Sequence, residues 1–218
     1  MTTGASVLLA VAVLAALGYL VRFLKAPVST TRTLSKTLPV ALLFAAAAYT
    51  SQPFLLLAGL GFSAIGDALL SRDGETCFLA GLAAFFLAHI AYALLFAGQM
   101  AGWDFSQPDT RMGGALMLGL VAVVLLRLWP HLGVVRTPVA LYAFTLAAMS
   151  VSAIAADPGR PILLGVTLLI ISDILLALHR FVPDFAASNR DKLPAAVWVL
   201  YFAGQALLIF GFLTHTSI

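Results

Sequence analysis

The segment Gly59–Glu75, GLGFSAIGDALLSRDGE, places a carboxylic acid inside an apolar helix. It begins as an apolar run and ends in a charged loop, with Asp67 one turn before that loop. A second acid, Asp173, lies in the comparable segment GVTLLIISDILLALHRF at 165–181. The rest of the chain must explain why two acids stand within such apolar surroundings.

Composition identifies the class of protein. Of the 218 residues, 62% are hydrophobic and only 10% are charged, whereas soluble domains have about 25% charged residues. With a mean hydropathy of +1.05, the chain is expected to be an integral membrane protein. Cys77 is the single cysteine, which excludes an intrachain disulfide. The basic residues are scattered among loops, so the net charge of +3 predicts no nucleic-acid partner.

Turn-forming residues divide the chain into apolar runs that are candidates for membrane spans. The first run has the spanning length of about 20 residues and lacks the basic start of a cleavable signal peptide, so we expect it to be retained. Every connection is short, which predicts one all-α domain over residues 1–218, a polytopic bundle of eight transmembrane helices. Its oligomeric state stays open. The runs cover 4–24, 36–51, 54–71, 76–98, 112–129, 137–156, 160–179 and 194–214.

The orientation follows from lysine and arginine, which accumulate in short cytoplasmic loops. With the N-terminus outside, ten basic residues lie in cytoplasmic loops and only Arg111 and Arg160 lie outside. We therefore predict that both termini are outside, in a bacterial inner membrane. The third and seventh helices then run in the same direction. Asp67 and Asp173 each lie 13 residues into their helix, which places both roughly 20 Å below the outer face.

Acids at this depth usually mark a functional site, because a charge at the centre of a membrane helix costs roughly 2.5–3.5 kcal/mol. The alternative for Asp67 is a helix-end acid that reaches the headgroups. Asp173 is farther from a loop, and we expect it to be the more desolvated acid. This favours Asp173 as the proton donor and leaves Asp67 as the alternative. Both acids lie on helix faces that suit packing inside the bundle. These faces carry Gly59, Ser63 and Ser71 around Asp67, and Gly165, Ser172 and Ala177 around Asp173.

Further polar side chains in the apolar runs are candidates for the same site. They are Lys36, His89, Tyr92, Tyr142, Tyr201 and Gln205. Each has a structural alternative: a neutral buried histidine for His89, an interfacial aromatic for the tyrosines, and a snorkelling lysine for Lys36. Lys36 opens the second predicted helix, where it could bind an acidic headgroup or phosphate. There is no metal-binding or glycine-rich phosphate motif, so we predict neither metal nor cofactor, although Asp67, His89 and Asp173 form a conceivable metal set.

Three classes of function fit paired intramembrane acids. The first is an enzyme in which one acid is protonated and the other ionised. The second is an aspartyl protease, but its GxGD motif is broken because Ala64 stands at the first glycine position. The third is a transporter or lipid-binding protein, although no pair of broken helices is evident. The segment GDALL at 66–70 is similar to SDILL at 172–176, which leaves open an internal duplication of four helices plus four helices.

Four segments, in this order and spacing, resemble the YhhN family: FSAIGDALL, GLAAFFLAHIAYALLF, LLIISDILLAL and YFAGQALLIF. The resemblance extends over essentially the whole chain. The family includes the eukaryotic lysoplasmalogenases, so the resemblance implies hydrolysis of the vinyl-ether bond of a lysoplasmalogen to a fatty aldehyde and a glycerophospho-base. The expected partners are then this lysophospholipid and the bilayer.

An acid pair suits this reaction, because it passes through an oxocarbenium ion as glycosidases do. Asp67 and Asp173 are accordingly the predicted catalytic pair. Lys36 would meet the phosphate, and several side chains would orient water and the glycerol oxygens or line the substrate site. The predicted substrate-binding set is Lys36, Ser63, His89, Tyr92, Tyr142, Ser172, Tyr201 and Gln205.

Overall fold

The computed structural model describes residues 2–99 and 108–215, and these residues form helices without any strand. A π-helical turn at Tyr19–Phe23 extends the first helix, and two 3₁₀ turns, Trp129–His131 and Gly133–Val135, connect the fifth helix to the sixth. The α-helices are α1 (Thr3–Gly18), α2 (Thr30–Tyr49), α3 (Phe54–Leu70), α4 (Glu75–Ala97), α5 (Pro108–Leu128), α6 (Arg136–Ala156), α7 (Arg160–Phe181), α8 (Pro183–Asn189) and α9 (Leu193–His215).

Two of these boundaries correct the sequence analysis. Helix α2 begins at Thr30 rather than 36, because the Ser29 hydroxyl caps it by accepting a hydrogen bond from the Arg32 amide. Lys36 therefore lies in the second turn of α2 and does not open the helix. The segment after α7, which reads as a plain connection, contains the short helix α8, with Pro183 at its first position.

Six of the helical segments in the described residues are long and apolar enough to cross a bilayer, and the chain is an integral membrane protein. Helix α3 is apolar but shorter, at 17 residues. Helix α2 carries Arg32 and Lys36 in its first half and is not among the six. Large apolar side chains cover the outer surface, among them Val21, Phe54 and Phe144. A surface of this kind suits contact with lipid rather than water.

Glycine allows two antiparallel helix pairs to pack at close range. In the α3–α4 pair, a Cβ at Gly59 would collide with the Tyr92 ring, and one at Gly81 would lie 2.8 Å from Leu70. In the α7–α9 pair, a Cβ at Gly165 would lie 2.8 Å from the Gly204 carbonyl oxygen. These contacts confirm that the small-residue faces around both acids pack inside the bundle.

The two helices that carry the acids, α3 and α7, do not form a closely packed pair with each other. Helix α3 packs against α2 and α4, and α7 packs most extensively against α9. Polar side chains of α9 nevertheless reach α3, as described below. Asp67 and Asp173 therefore meet around a space that several helices enclose, rather than across one helix–helix contact.

Candidate active site

Asp67 is buried between α2, α3 and α9, and two polar side chains contact it. The Lys36 Nζ atom lies 3.5 Å from Asp67 Oδ1, and the Tyr201 hydroxyl donates a hydrogen bond of 2.8 Å to Asp67 Oδ2. The Asp67 side chain is only 2% exposed. A carboxylate at this position therefore has a cation and a hydrogen-bond donor, which is what a buried charge requires.

Asp173 has a different set of partners, from α4 and α6. The Tyr142 hydroxyl donates a hydrogen bond of 2.7 Å to Asp173 Oδ2, and the His89 Nε2 atom lies 3.4 Å from the same oxygen. The Asp173 side chain is 11% exposed. The expectation that Asp173 is the more desolvated acid is therefore wrong, because its side chain is the more exposed of the two.

The geometry of His89 requires a proton between this histidine and Asp173. The His89 Nδ1 atom lies 2.7 Å from the Phe85 carbonyl oxygen, which can only accept, so Nδ1 carries a hydrogen. In a neutral imidazole the Nε2 atom is then an acceptor, and it faces a carboxyl oxygen. Two acceptors at this distance would repel each other unless one of them is protonated. A proton held by either Asp173 or His89 would satisfy this contact.

A third polar cluster lies one turn deeper than Asp67. The Tyr92 hydroxyl donates to Gln205 Oε1 at 2.7 Å, and Gln205 Nε2 donates to the Ser63 hydroxyl at 3.0 Å. The pairs Ser63–Gln205 and Asp67–Tyr201 form two successive bridges between α3 and α9. All of these side chains are buried. Their polar atoms satisfy one another, and this cluster fixes the position of α9 relative to α3.

Asp67 and Asp173 line one cavity of about 390 Å³. Lys36 and Tyr201 also border it, as do the apolar residues Leu70, Phe85 and Trp198. The cavity lies at the end of the bundle where α2 and α9 begin and α3 and α7 end. The two acids that the sequence singled out are thus brought together around a single space.

A narrow apolar pocket of about 70 Å³ adjoins this cavity between α4, α5, α6 and α7. Its walls include Val124, Leu128, Leu146 and Phe181. Asp173 lines both the apolar pocket and the larger cavity, whereas Asp67 lines only the cavity. Asp173 therefore lies at the boundary between the apolar pocket and the polar cavity.

The other candidate residues divide into three groups. Tyr201 and Lys36 contact Asp67, while Tyr142 and His89 contact Asp173. Ser172 lines the cavity, but its hydroxyl donates to the Val197 carbonyl and so joins α7 to α9. Ser63, Tyr92 and Gln205 bind one another and do not line the cavity.

The sequence analysis missed three basic cavity residues, namely Arg32, His179 and Arg180. A signal was available, because Arg32 precedes Lys36 by four residues and therefore shares its helix face. Arg180 follows Asp173 by seven residues, which again places both on one face of α7. These three residues were assigned to loops or helix ends, because a count of basic loop residues does not show which of them border a cavity.

No group of three or more histidine, cysteine, aspartate or glutamate side chains within residues 2–99 and 108–215 could hold a metal ion. His89 and Asp173 are adjacent, but Asp67 is paired with Lys36 and Tyr201 instead. The conceivable metal set of these three residues is therefore not assembled in the described part of the chain.

Fold and site together define an integral membrane protein whose helix bundle encloses two partnered carboxylic acids at one cavity. The chain belongs to the YhhN family, whose model matches residues 31–212. Its relatives include the uncharacterized membrane proteins YhhN of Escherichia coli O6:H1, Escherichia coli O157:H7 and Shigella flexneri. Each is 30% identical over 162 residues, which is 72% of this chain and 73% of the relative. No solved structure matches the chain.

Proposed function

We propose that this protein is a membrane hydrolase that cleaves the vinyl-ether bond of a lysoplasmalogen. The observation that carries the proposal is the placement of the two acids. Both line one cavity, and only Asp173 also lines the adjoining apolar pocket. A vinyl ether likewise lies at a boundary, between a hydrocarbon chain and a polar glycerophospho group.

The proposed binding mode matches these two compartments. The first carbons of the alkenyl chain enter the apolar pocket, and the glycerol occupies the cavity. The double bond then lies beside Asp173, and the ether oxygen and glycerol lie toward Asp67. Burial of the chain supplies binding energy in the pocket, while the polar groups hold the reacting bond in position.

The reaction begins with transfer of a proton from the carboxylic acid of Asp173 to the β-carbon of the vinyl ether. The carbon–carbon double bond becomes a single bond, and the positive charge is shared by the α-carbon and the ether oxygen. A proton is available because the contact between Asp173 and His89 accommodates one. Donation by a positioned acid accelerates such steps by typically 10²–10⁴-fold.

Asp67 acts on the opposite side of the oxocarbenium ion. Its carboxylate, paired with Lys36, stabilises the cation and accepts a proton from the water that adds to the α-carbon. The resulting hemiacetal then loses its hydroxyl proton to the Asp173 carboxylate, while Asp67 protonates the departing glycerol oxygen. The products are a fatty aldehyde and a glycerophospho-base, and both acids return to their initial protonation states.

The remaining site residues position these two acids. Tyr201 orients Asp67, and Tyr142 orients Asp173, through the hydrogen bonds described above. We also propose that the single domain crosses a bacterial inner membrane eight times, with both termini outside. The cavity then opens at the cytoplasmic end, where the positive-inside distribution of lysine and arginine places the α2 and α9 starts.

The test uses purified protein with a defined lysoplasmalogen and follows aldehyde release by mass spectrometry. The variants are Asp67→Asn and Asp173→Asn, with Asp191→Asn as the matched control, because the Asp191 side chain is 90% exposed. We expect cavity variants to lose activity by roughly 10²-fold or more and the control to retain it. Full activity in both cavity variants contradicts the acid pair. Passage of lysophospholipid through liposomes without aldehyde release would favour a transporter instead.

A further inference from the structure

The positive charge of the cavity exceeds what the two acids neutralise. Lys36, Arg32 and Arg180 border the cavity together with Asp67 and Asp173. With one proton held by Asp173 or His89, that pair is neutral, and two positive charges remain when Asp67 is ionised. Lys36 is already committed to Asp67 at 3.5 Å. The cations left for a ligand are therefore the two arginines, not the lysine that the sequence favoured.

Two nitrogen atoms of residues that line the cavity are buried without a hydrogen-bond partner. These are Nε of Arg32 and Nδ1 of His179. The Arg32 Nη1 atom donates to the Ser71 carbonyl oxygen at 2.9 Å, and the Tyr19 phenol lies beside the guanidinium. The guanidinium is thus held in place while Nε stays unsatisfied. A buried donor without a partner is costly, so a ligand that accepts from it would be strongly favoured.

Arg180, in the last turn of α7, also borders the cavity. Its guanidinium carbon lies 4.4 Å from the centre of the Phe78 ring, in a cation–π contact that holds the side chain at the edge of the cavity. Arg180 borders both the cavity and the apolar pocket. A guanidinium presents several N–H groups in one plane, which suits binding to two oxygens of a phosphate.

We infer that Arg32, His179 and Arg180 form a phosphate-binding subsite at the end of the cavity. The ligand is the phosphodiester of a lysophospholipid headgroup, whose negative charge is opposite in sign to the excess charge of the cavity. The identity of the ligand rests on the proposed function, whereas the subsite itself rests on the unpartnered nitrogens and the charge. Free phosphate shares this chemistry, so the experiment must separate the two sources.

The experiment measures binding without hydrolysis. The probe is a saturated 1-O-alkyl lysophosphatidylethanolamine, which has no vinyl-ether bond to cleave. Its partner probe is the matching 1-O-alkylglycerol, which lacks phosphate, and the third ligand is inorganic phosphate. Dissociation constants are measured by calorimetry on the full-length protein in detergent. Failure of catalysis leaves this measurement intact, so the two proposals fail separately.

The variants are Arg32→Gln and Arg180→Gln, with Arg190→Gln as a matched control on an exposed arginine near the same end. We expect Arg32→Gln to weaken binding of the phosphate-bearing probe roughly tenfold or more and to leave the alkylglycerol unchanged. Arg190→Gln should change neither. Because Arg32 also holds the Ser71 carbonyl, a thermal melt checks folding, and the exposed Arg180→Gln carries the test if Arg32→Gln unfolds.

The outcomes are distinct. Competition between inorganic phosphate and the phosphate-bearing probe supports the headgroup subsite. Equal affinity of the wild type for both lipid probes overturns it, as does an equal effect of the cavity and control substitutions. Phosphate binding that depends on Arg32 without competing with the lipid also overturns it, since the site would then serve free phosphate.

Discussion

The surroundings of Asp67 and of Asp173 differ in the group that faces each carboxyl. Asp67 faces the amine of Lys36, and its side chain is 2% exposed. Asp173 faces an imidazole, His89, and borders an apolar pocket. Two acids that line one cavity therefore have different polar partners and different neighbouring compartments. In the proposed mechanism, Lys36 favours an ionised Asp67, and His89 favours a proton held at Asp173.

Removing each carboxyl group should separate these roles most clearly. We expect Asp67→Ala and Asp173→Ala each to lower kcat by roughly 10²–10⁴-fold. Formate should restore part of the activity of Asp67→Ala, because the cavity is large enough for it and Lys36 attracts an anion. Formate should not restore Asp173→Ala, since at neutral pH it brings no proton. Rescue of Asp173→Ala alone would reverse the assignment of donor and base.

The buried ion pair should matter more for stability than its exposed counterpart. Lys36→Met leaves the Asp67 carboxylate without its cation, which we expect to cost toward the lower end of roughly 3–5 kcal/mol, because the pair borders a cavity. The double variant Lys36→Met with Asp67→Asn should recover most of this loss. The control is Lys25→Met, because Lys25 and Asp191 form a largely exposed pair at 3.8 Å, where little change is expected.

These free energies of unfolding can be measured by titration with a denaturing detergent in mixed micelles. A loss in Lys36→Met no greater than in Lys25→Met would show that the Asp67 surroundings do not depend on the lysine. It would also remove the reason for treating Asp67 as the ionised acid.

The two tyrosines test whether the acids have separate positioning partners. Tyr142→Phe and Tyr201→Phe each remove one hydrogen bond to a carboxyl oxygen, and we expect each to lower kcat roughly ten- to hundredfold. Combined with Lys36→Met, Tyr201→Phe should be non-additive by about 0.5 kcal/mol or more, because both act on Asp67. Tyr142→Phe with Lys36→Met should be additive. The reverse pattern in kcat/KM would contradict the separation.

The glycine contacts behind the two acids should give the smallest effects. Gly165→Ala presses a Cβ against the Gly204 backbone on the Asp173 side, and Gly59→Ala presses one against the Tyr92 ring on the Asp67 side. We expect each to destabilise by roughly 1–3 kcal/mol, with Gly165→Ala the larger, because a backbone cannot rotate away. Gly119→Ala is the control, since nothing lies within 4 Å of its Cβ. Thermal melts in detergent would measure all three.

Much of the fold could be predicted from local pattern. The apolar runs locate the long helices to within a few residues, apart from the early start of α2 and the short helix α8. Both exceptions lie in polar segments, where a side-chain cap or a proline sets the boundary and hydropathy gives no signal. The stripe Gly59, Ser63, Asp67 and Ser71 is buried throughout, as its spacing predicted.

The partners of the acids could be predicted only in part. Lys36, His89, Tyr142 and Tyr201 were predicted to bind substrate, and each contacts one of the two carboxyl groups, which was not predicted. Which tyrosine contacts which acid could not be predicted, because a tyrosine on α9 and one on α6 are equivalent in a sequence pattern. The position of Arg32 and Arg180 at the cavity was also missed, because loop arginines are usually assigned to the membrane surface.

Sequence alone was sufficient to predict that the chain enters a membrane, roughly where its long helices lie, and which polar side chains are costly to bury inside those helices. These follow from hydropathy and helical period, which are local properties. The tertiary structure was needed to learn that Lys36 pairs with Asp67 and His89 with Asp173. It was also needed to learn that Asp173, and not Asp67, borders the apolar pocket. The physical reason is that charge pairing depends on distances of a few ångströms between helices far apart in the chain, and these distances are set by how the whole bundle packs.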